Sequence, residues 1–182
     1  MPDAWPLLNR SLRGDFRVFR VHEEHRRAPT TKAEHSFFVI EAPDWVNVVP
    51  VTKEGKLVFV RQYRFGTEEV TLEIPGGMID PGDDGPLAAG LRELREETGY
   101  ISERLVDLGA VEPNPALQTN RCHTVLALEA TKDGPATPDG TEDLDVVLFD
   151  PADVPALITS GQITHALVVA AFYLYDAWRR SD

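Results

Sequence analysis

The stretch GGMIDPGDDGPLAAGLRELREETGY, residues 76–100, decides how this chain is read. Its first half is turn chemistry, with Gly76 and Gly77 followed by Asp80-Pro81-Gly82-Asp83-Asp84-Gly85. Pro86 suits the first turn of a helix and Gly99 a C-terminal cap, so a helix is expected over 86–98. Leu87, Leu91 and Leu94 recur at i, i+4 and i+7, an apolar stripe expected to face the core. Glu93, Glu96 and Glu97 fall at i, i+3 and i+4, which sets three carboxylates side by side on a different, solvent-facing side. Two carboxylates about 5 Å apart repel by about 3 kcal/mol at an effective dielectric of about 20. A divalent cation that prefers oxygen would offset this. The alternative is a solvated acidic helix face balanced by Arg92 and Arg95.

Upstream, WVNVVPV (45–51) and KLVFVRQY (56–63) read as strands joined by the turn Lys53-Glu54-Gly55, and EVTLEIP (69–75) as a third. Before them FRVFRV and HSFFVI are strand-like on either side of the polar, basic stretch HEEHRRAPTTKAEH, which reads as a small sheet beginning near Asp15. Downstream, strands are expected over 105–111 and 122–130, separated by the proline-containing loop EPNPALQTN. A Gly/Pro/Asp/Thr-rich loop over 131–142 leads to a strand DLDVVLF, and then helices over PADVPALIT and 163–178. Many strands with helices placed late, and no regular βαβ alternation, give an α+β fold with helices on a mixed sheet. The expected division is an N-terminal β extension, 1–42, and a main domain, 43–182.

The 182 residues carry 30 acidic and 18 basic side chains, a net charge of −12. That balance excludes a general nucleic-acid binder, which needs a basic face, but leaves room for an anion bound through divalent cations. A hydrophobic content of 42% is enough for a substantial core. The single cysteine, Cys122, rules out an intrachain disulfide and fits a reducing compartment. The N-terminus lacks the basic-then-apolar order of a secretory signal. The most apolar run, 163–178, is interrupted by His165 and Asp176 and is short for a bilayer span. A cytoplasmic protein with no membrane partner is expected.

Residues 77–100 resemble the Nudix signature, G-x5-E-x7-R-E-U-x-E-E-x-G-U with U bulky and apolar. Arg92-Glu93-Leu94-Arg95-Glu96-Glu97-Thr98-Gly99-Tyr100 matches the second half, with Tyr100 as an aromatic U. In the first half Asp83 stands at the glutamate position, and eight residues instead of seven separate it from Arg92. The resemblance implies a Nudix-type α/β/α sandwich with a mixed sheet, here with a small N-terminal β-sheet extension. It implies hydrolysis of a nucleoside diphosphate linked to another moiety, with Mg²⁺ as cofactor and Mn²⁺ as a substitute. Glu93, Glu96 and Glu97 and the Gly76 carbonyl are then the expected metal ligands. Arg92 orients the helix glutamates.

The N-terminal extension, with VRQYR (60–64) followed by LEIPGG (72–77), is similar to the ADP-ribose and nucleoside diphosphate sugar pyrophosphatase subgroup. That similarity implies a nucleotide-sugar substrate met by Arg61, Arg64 and Glu73. Pro115 and Arg121 are further substrate-binding candidates, and a homodimer is expected through the extension, with the 163–178 helix as a second candidate element. In this subgroup the catalytic base often comes from a late loop; DGPATPDGTED offers Asp139, Glu142 and Asp143, of which Glu142 is favoured, and Glu96 and Arg92 are the catalytic candidates on the helix. The plainer readings are surface ion pairs for Arg61 and Arg64, an exposed strand residue for Glu73, and a solvated loop acid for Glu142. Competing functions are a house-cleaning hydrolase of nucleoside triphosphates or dinucleoside polyphosphates, and a non-catalytic Nudix-fold nucleotide sensor.

Overall fold

The structure, a computed structural model, describes residues 3–137 and 143–181. The chain divides into two compact units, residues 1–43 with 112–121, and residues 44–111 with 122–182.

The first unit is an antiparallel sheet of β1 (Leu7–Asp15), β2 (Arg20–Arg27) and β3 (Glu34–Glu41), with β2 in the centre. This differs from the expectation. The first half of FRVFRV is the hairpin turn, in which the Phe16 amide donates to the Phe19 carbonyl at 2.9 Å, and HEEHRR lies in the central strand. Its charges are matched across the ladder, where Glu24 pairs with Arg10 at 3.5 Å, Arg27 with Glu34 at 2.7 Å, and Glu23 with Arg13. A strand whose side chains are satisfied by cross-strand ion pairs carries no apolar alternation to read. The loop EPNPALQTN belongs with this unit, and Gln118 forms a parallel bridge to Ile40.

The second unit is a mixed sheet. It contains β4 (Trp45–Thr52), β5 (Leu57–Arg64), β6 (Glu69–Glu73), β7 (Gly76–Met78), β8 (Tyr100–Ile101), β9 (Arg104–Val111), β10 (Cys122–Lys132) and β11 (Leu144–Phe149). The order is β11-β5-β4-β10-β8, with β6 on β5, β7 on β4 and β9 on β10. Among the described strands of this sheet only β4 and β10 run parallel, and this central pair is buried on both faces. Alternation divides their side chains between two cores. Val46 and Val48 of β4 and Val125 and Ala127 of β10 pack with Ala89 and Leu94 of α1 (Gly85–Thr98). Val49 and Leu126 join the other core with Leu157 of α2 (Val154–Thr159) and Val168 and Phe172 of α3 (Ala166–Ser181). Helices therefore cover both faces, which is the expected α/β/α sandwich.

Helix α1 ends as expected at Gly99, whose φ of 68° is left-handed and whose amide donates to the Arg95 carbonyl. Of the leucine stripe only Leu94 is in its buried face, which comprises Ala89, Gly90, Leu94, Glu97 and Thr98, whereas Leu87 is 37% exposed. The reason is close approach to the sheet. A Cβ at Gly90 would lie 3.2 Å from Val48 and 3.3 Å from Val125, so small residues meet the strands beside Leu94. The Gly76–Gly77 segment, expected as a turn, is strand β7, paired with β4 through Trp45–Met78, Val46–Gly77 and Asn47–Gly76. Among the described residues, no helix is long and apolar enough to cross a membrane.

Candidate active site

The glycine pair of β7 is fixed by crowding. A Cβ at Gly76 would lie 2.3 Å from the Val46 carbonyl oxygen, and one at Gly77 would lie 2.5 Å from Glu93 Oε1. Only glycine allows the strand to lie between β4 and the glutamates of α1. The Gly76 amide donates to Glu97 Oε2 at 3.1 Å. Glu97 is 1% exposed, which corrects its expected solvent-facing position. It follows Ala89 and Glu93 at helical spacing on the inner side of α1, so the helix carries carboxylates into the protein behind β7.

Arg92 binds this acidic group together. Its Nη1 donates to Glu93 Oε1 at 2.8 Å and to Glu96 Oε2 at 3.0 Å, and its Nη2 to the Met78 carbonyl at 3.0 Å. Asp83 accepts from Nε at 3.1 Å and from Nη2 at 2.9 Å, a two-point pairing. These bonds, led by Asp83, hold the guanidinium more firmly protonated than usual, and Arg92 in turn holds the Asp83 carboxyl below its ordinary range. Asp83 also accepts from the Asp80 amide at 2.9 Å, which closes the turn before the helix. The shorter acid and the inserted residue of the motif thus end in an anchor for Arg92. Among the described residues no three Asp, Glu, His or Cys side chains converge in a ready metal cage. Arg92 lies between Glu93 and Glu96, while Glu97 is turned to Gly76.

Gly76 and Gly77 line a cleft of about 620 Å³, together with Trp45, Asn47, Met78 and Cys122. A second group of lining residues is polar, comprising Arg64, Thr67, Thr71, Glu73, Thr164 and His165. Glu73 is 3% exposed and is the centre of this group. It accepts from Arg64 Nε at 2.8 Å and Nη2 at 2.7 Å, from Thr71 Oγ1 at 2.7 Å, and from His165 Nδ1 at 3.0 Å. Burial pushes the carboxyl up, but the bonds from Arg64, His165 and Thr71 outweigh it and hold Glu73 well below the usual carboxylate range. Burial, with the Asp44 carboxylate near, pushes the Cys122 thiol up to about 12, so this cysteine is unreactive.

Of the residues singled out in the sequence, Gly76, Glu93, Glu96, Glu97 and Arg92 come together around β7 and α1, and Arg64 and Glu73 meet at the cleft. Arg61 is outside the cleft lining, paired with Asp145 across the β5–β11 ladder at 3.2 Å. Pro115 and Arg121 belong to the first unit. Glu142 lies outside the described residues; the segment ahead of it meets α1, where the Thr137 amide donates to the Glu96 carbonyl at 2.7 Å. His165 was missed. Its one sequence signal is that it breaks the most apolar run of the chain, just ahead of α3.

A model of the NUDIX domain matches residues 42–172. An ADP-ribose pyrophosphatase of Bacillus subtilis (strain 168) is 34% identical over 113 residues, 62% of this chain and 60% of that protein. An ADP-sugar pyrophosphatase of Mus musculus is 32% identical over 146 residues, 74% of this chain and 66% of that protein. The chain therefore spans 60% and 66% of the length of these two relatives. The crystal structure of an ADP compounds hydrolase matches with a TM-score of 0.88, covering 100% of this chain and 97% of that one. At 24% identity, that likeness is one of fold.

Proposed function

The chain belongs to the Nudix family, and from that premise we propose that it hydrolyses the pyrophosphate bond of ADP-ribose or a nucleoside diphosphate sugar. The products are a nucleoside monophosphate and a sugar phosphate. One observation carries this reading: two glycines line an open cleft, and each touches a buried or half-buried glutamate of the signature helix behind it. The names of the Bacillus subtilis and Mus musculus relatives support the substrate class.

The proposed cofactor is Mg²⁺, with Mn²⁺ as a substitute. The donor set fits a hard cation, since Glu93, Glu96, Glu97 and the Gly76 carbonyl offer only oxygen. When bound, the ion would neutralise the diphosphate and acidify a water molecule. The chain's own groups do the remaining work. Arg92 fixes the rotamers of Glu93 and Glu96 from a base provided by Asp83 and the Met78 carbonyl. Arg64 supplies positive charge at the cleft. Glu142 is the proposed proton acceptor, supported by the contact of Thr137, five residues earlier, with the Glu96 backbone. The chain acts in the cytoplasm as a homodimer formed through β1–β3.

The test is product analysis with Mg²⁺ on ADP-ribose, several nucleotide sugars, nucleoside triphosphates and dinucleoside polyphosphates. AMP and ribose 5-phosphate from ADP-ribose are expected. Preferential release of pyrophosphate from triphosphates would refute the reading.

A further inference from the structure

Glu73 has no hydrogen-bonding capacity left for a substrate. A carboxylate accepts about four hydrogen bonds, and Glu73 already takes two from Arg64, one from Thr71 and one from His165. It lines the cleft as a positioning residue, and the ring it positions is His165, which is 38% exposed and also lines the cleft.

The ionised Glu73 can only accept, so the proton in its bond with His165 sits on Nδ1. In the neutral imidazole that choice makes Nε2 an acceptor. The oxygens of a diphosphate diester carry no protons and would meet that lone pair with one of their own, so its partner has to be a donor. Chain order gives a second constraint. Trp45 and Met78 pair at one end of β7, Gly77 and Gly76 follow with their glutamates, and Glu73 lies three residues ahead of Gly76. The diphosphate-directed glycines thus stand between an apolar end and a polar end rich in threonine hydroxyls. Asn47, a buried residue whose Nδ2 has no partner among the described residues, belongs to the same cleft lining. A sugar hydroxyl both donates and accepts.

We propose that His165 is a substrate-binding residue, its Nε2 accepting a hydrogen bond from a hydroxyl on the sugar-phosphate half of the substrate, with Glu73 fixing the tautomer. This rests on the pyrophosphatase reading of the same cleft. The test uses the full chain labelled with ¹⁵N-histidine, with the His165 ring assigned by loss of its signals in His165→Phe. In the free protein the ring shows a protonated Nδ1 and a bare Nε2. With EDTA present to prevent turnover, ADP-ribose moves the Nε2 resonance, whereas ADP, which ends at the diphosphate, does not. In Mg²⁺-supported turnover, His165→Phe raises KM for ADP-ribose about five- to tenfold with kcat nearly unchanged, the worth of one neutral hydrogen bond. His165→Gln, whose amide reaches toward the Nε2 position, recovers part of that loss. A protonated Nε2 in the free protein, an equal response to both ligands, or no response to saturating ADP-ribose overturns the proposal. An Nε2 response without any hydrolysis of ADP-ribose would instead overturn the pyrophosphatase reading and leave the contact standing.

Discussion

Glu97 and Glu73 are both buried acids, and they answer to different physics. Glu97→Gln keeps the side-chain volume and an acceptor for the Gly76 amide, so the fold should persist while turnover falls by about 100-fold or more, since a charged oxygen ligand is lost. Steady-state rates at saturating Mg²⁺, beside a circular dichroism melt, check both halves of that statement. Glu73 has its carboxyl held low, so its contribution to stability is complete above the ordinary glutamate value of 4.5 and is lost as the pH falls from there through the depressed folded value. The Tm gap between wild type and Glu73→Gln should therefore be constant above about pH 5 and close progressively below it. Both acids were legible in the sequence because short motifs surround them. Their burial was not, because a glutamate at helical spacing looks the same whether it faces water or a glycine strand. His165 was hidden for a related reason: its partner is 92 residues away in the chain, and no local pattern reports such a contact.

At the scale of elements, α1 shows how a neighbour redefines a face. The leucine periodicity gave the right helix but only one residue of its buried centre, Leu94, because Gly90 and Ala89 are where the helix also presses on β4 and β10. Gly90→Leu should cost about 2 kcal/mol by overpacking, whereas Leu87→Ala, on the exposed side, should cost less than about 1 kcal/mol. Urea denaturation of the two variants separates the two assignments. The strands of the central sheet were legible because β4 and β5 are continuous apolar runs, as strands covered on both faces are. β1 and β2 were not, since LLNRSLRGD and RVHEEHRR lack that signal and match their charges across the ladder instead, as Glu24 of β2 does with Arg10 of β1. β7 was read as a turn because two glycines usually make one; here crowding from β4 and α1 explains the same residues.

For the whole molecule, the charge of −12 divides into the acids around Arg92 and a larger number that serve solubility. Exposed apolar surface on β1 and β3 supports the proposed dimer. Leu7, Leu8 and Leu12 of β1 and, on the far side of β2, Phe37 and Phe38 of β3 are all exposed, and neighbours along a strand point to opposite sides. Light scattering should give twice 20.2 kDa at micromolar concentration, and removal of residues 1–42 should lower solubility. A monomer in that measurement would count against the proposed interface. The sole cysteine offers a use beyond chemistry. Cys122 begins β10, the strand that shares the parallel pair at the centre of the sheet, and it is 2% exposed with a thiol that resists ionisation. Alkylation by a thiol reagent therefore has to wait for the strand to open, which gives every molecule one built-in clock for that event. Because Cys122 also lines the cleft, a bound nucleotide should slow the clock, and the degree of slowing reads occupancy without any need for turnover.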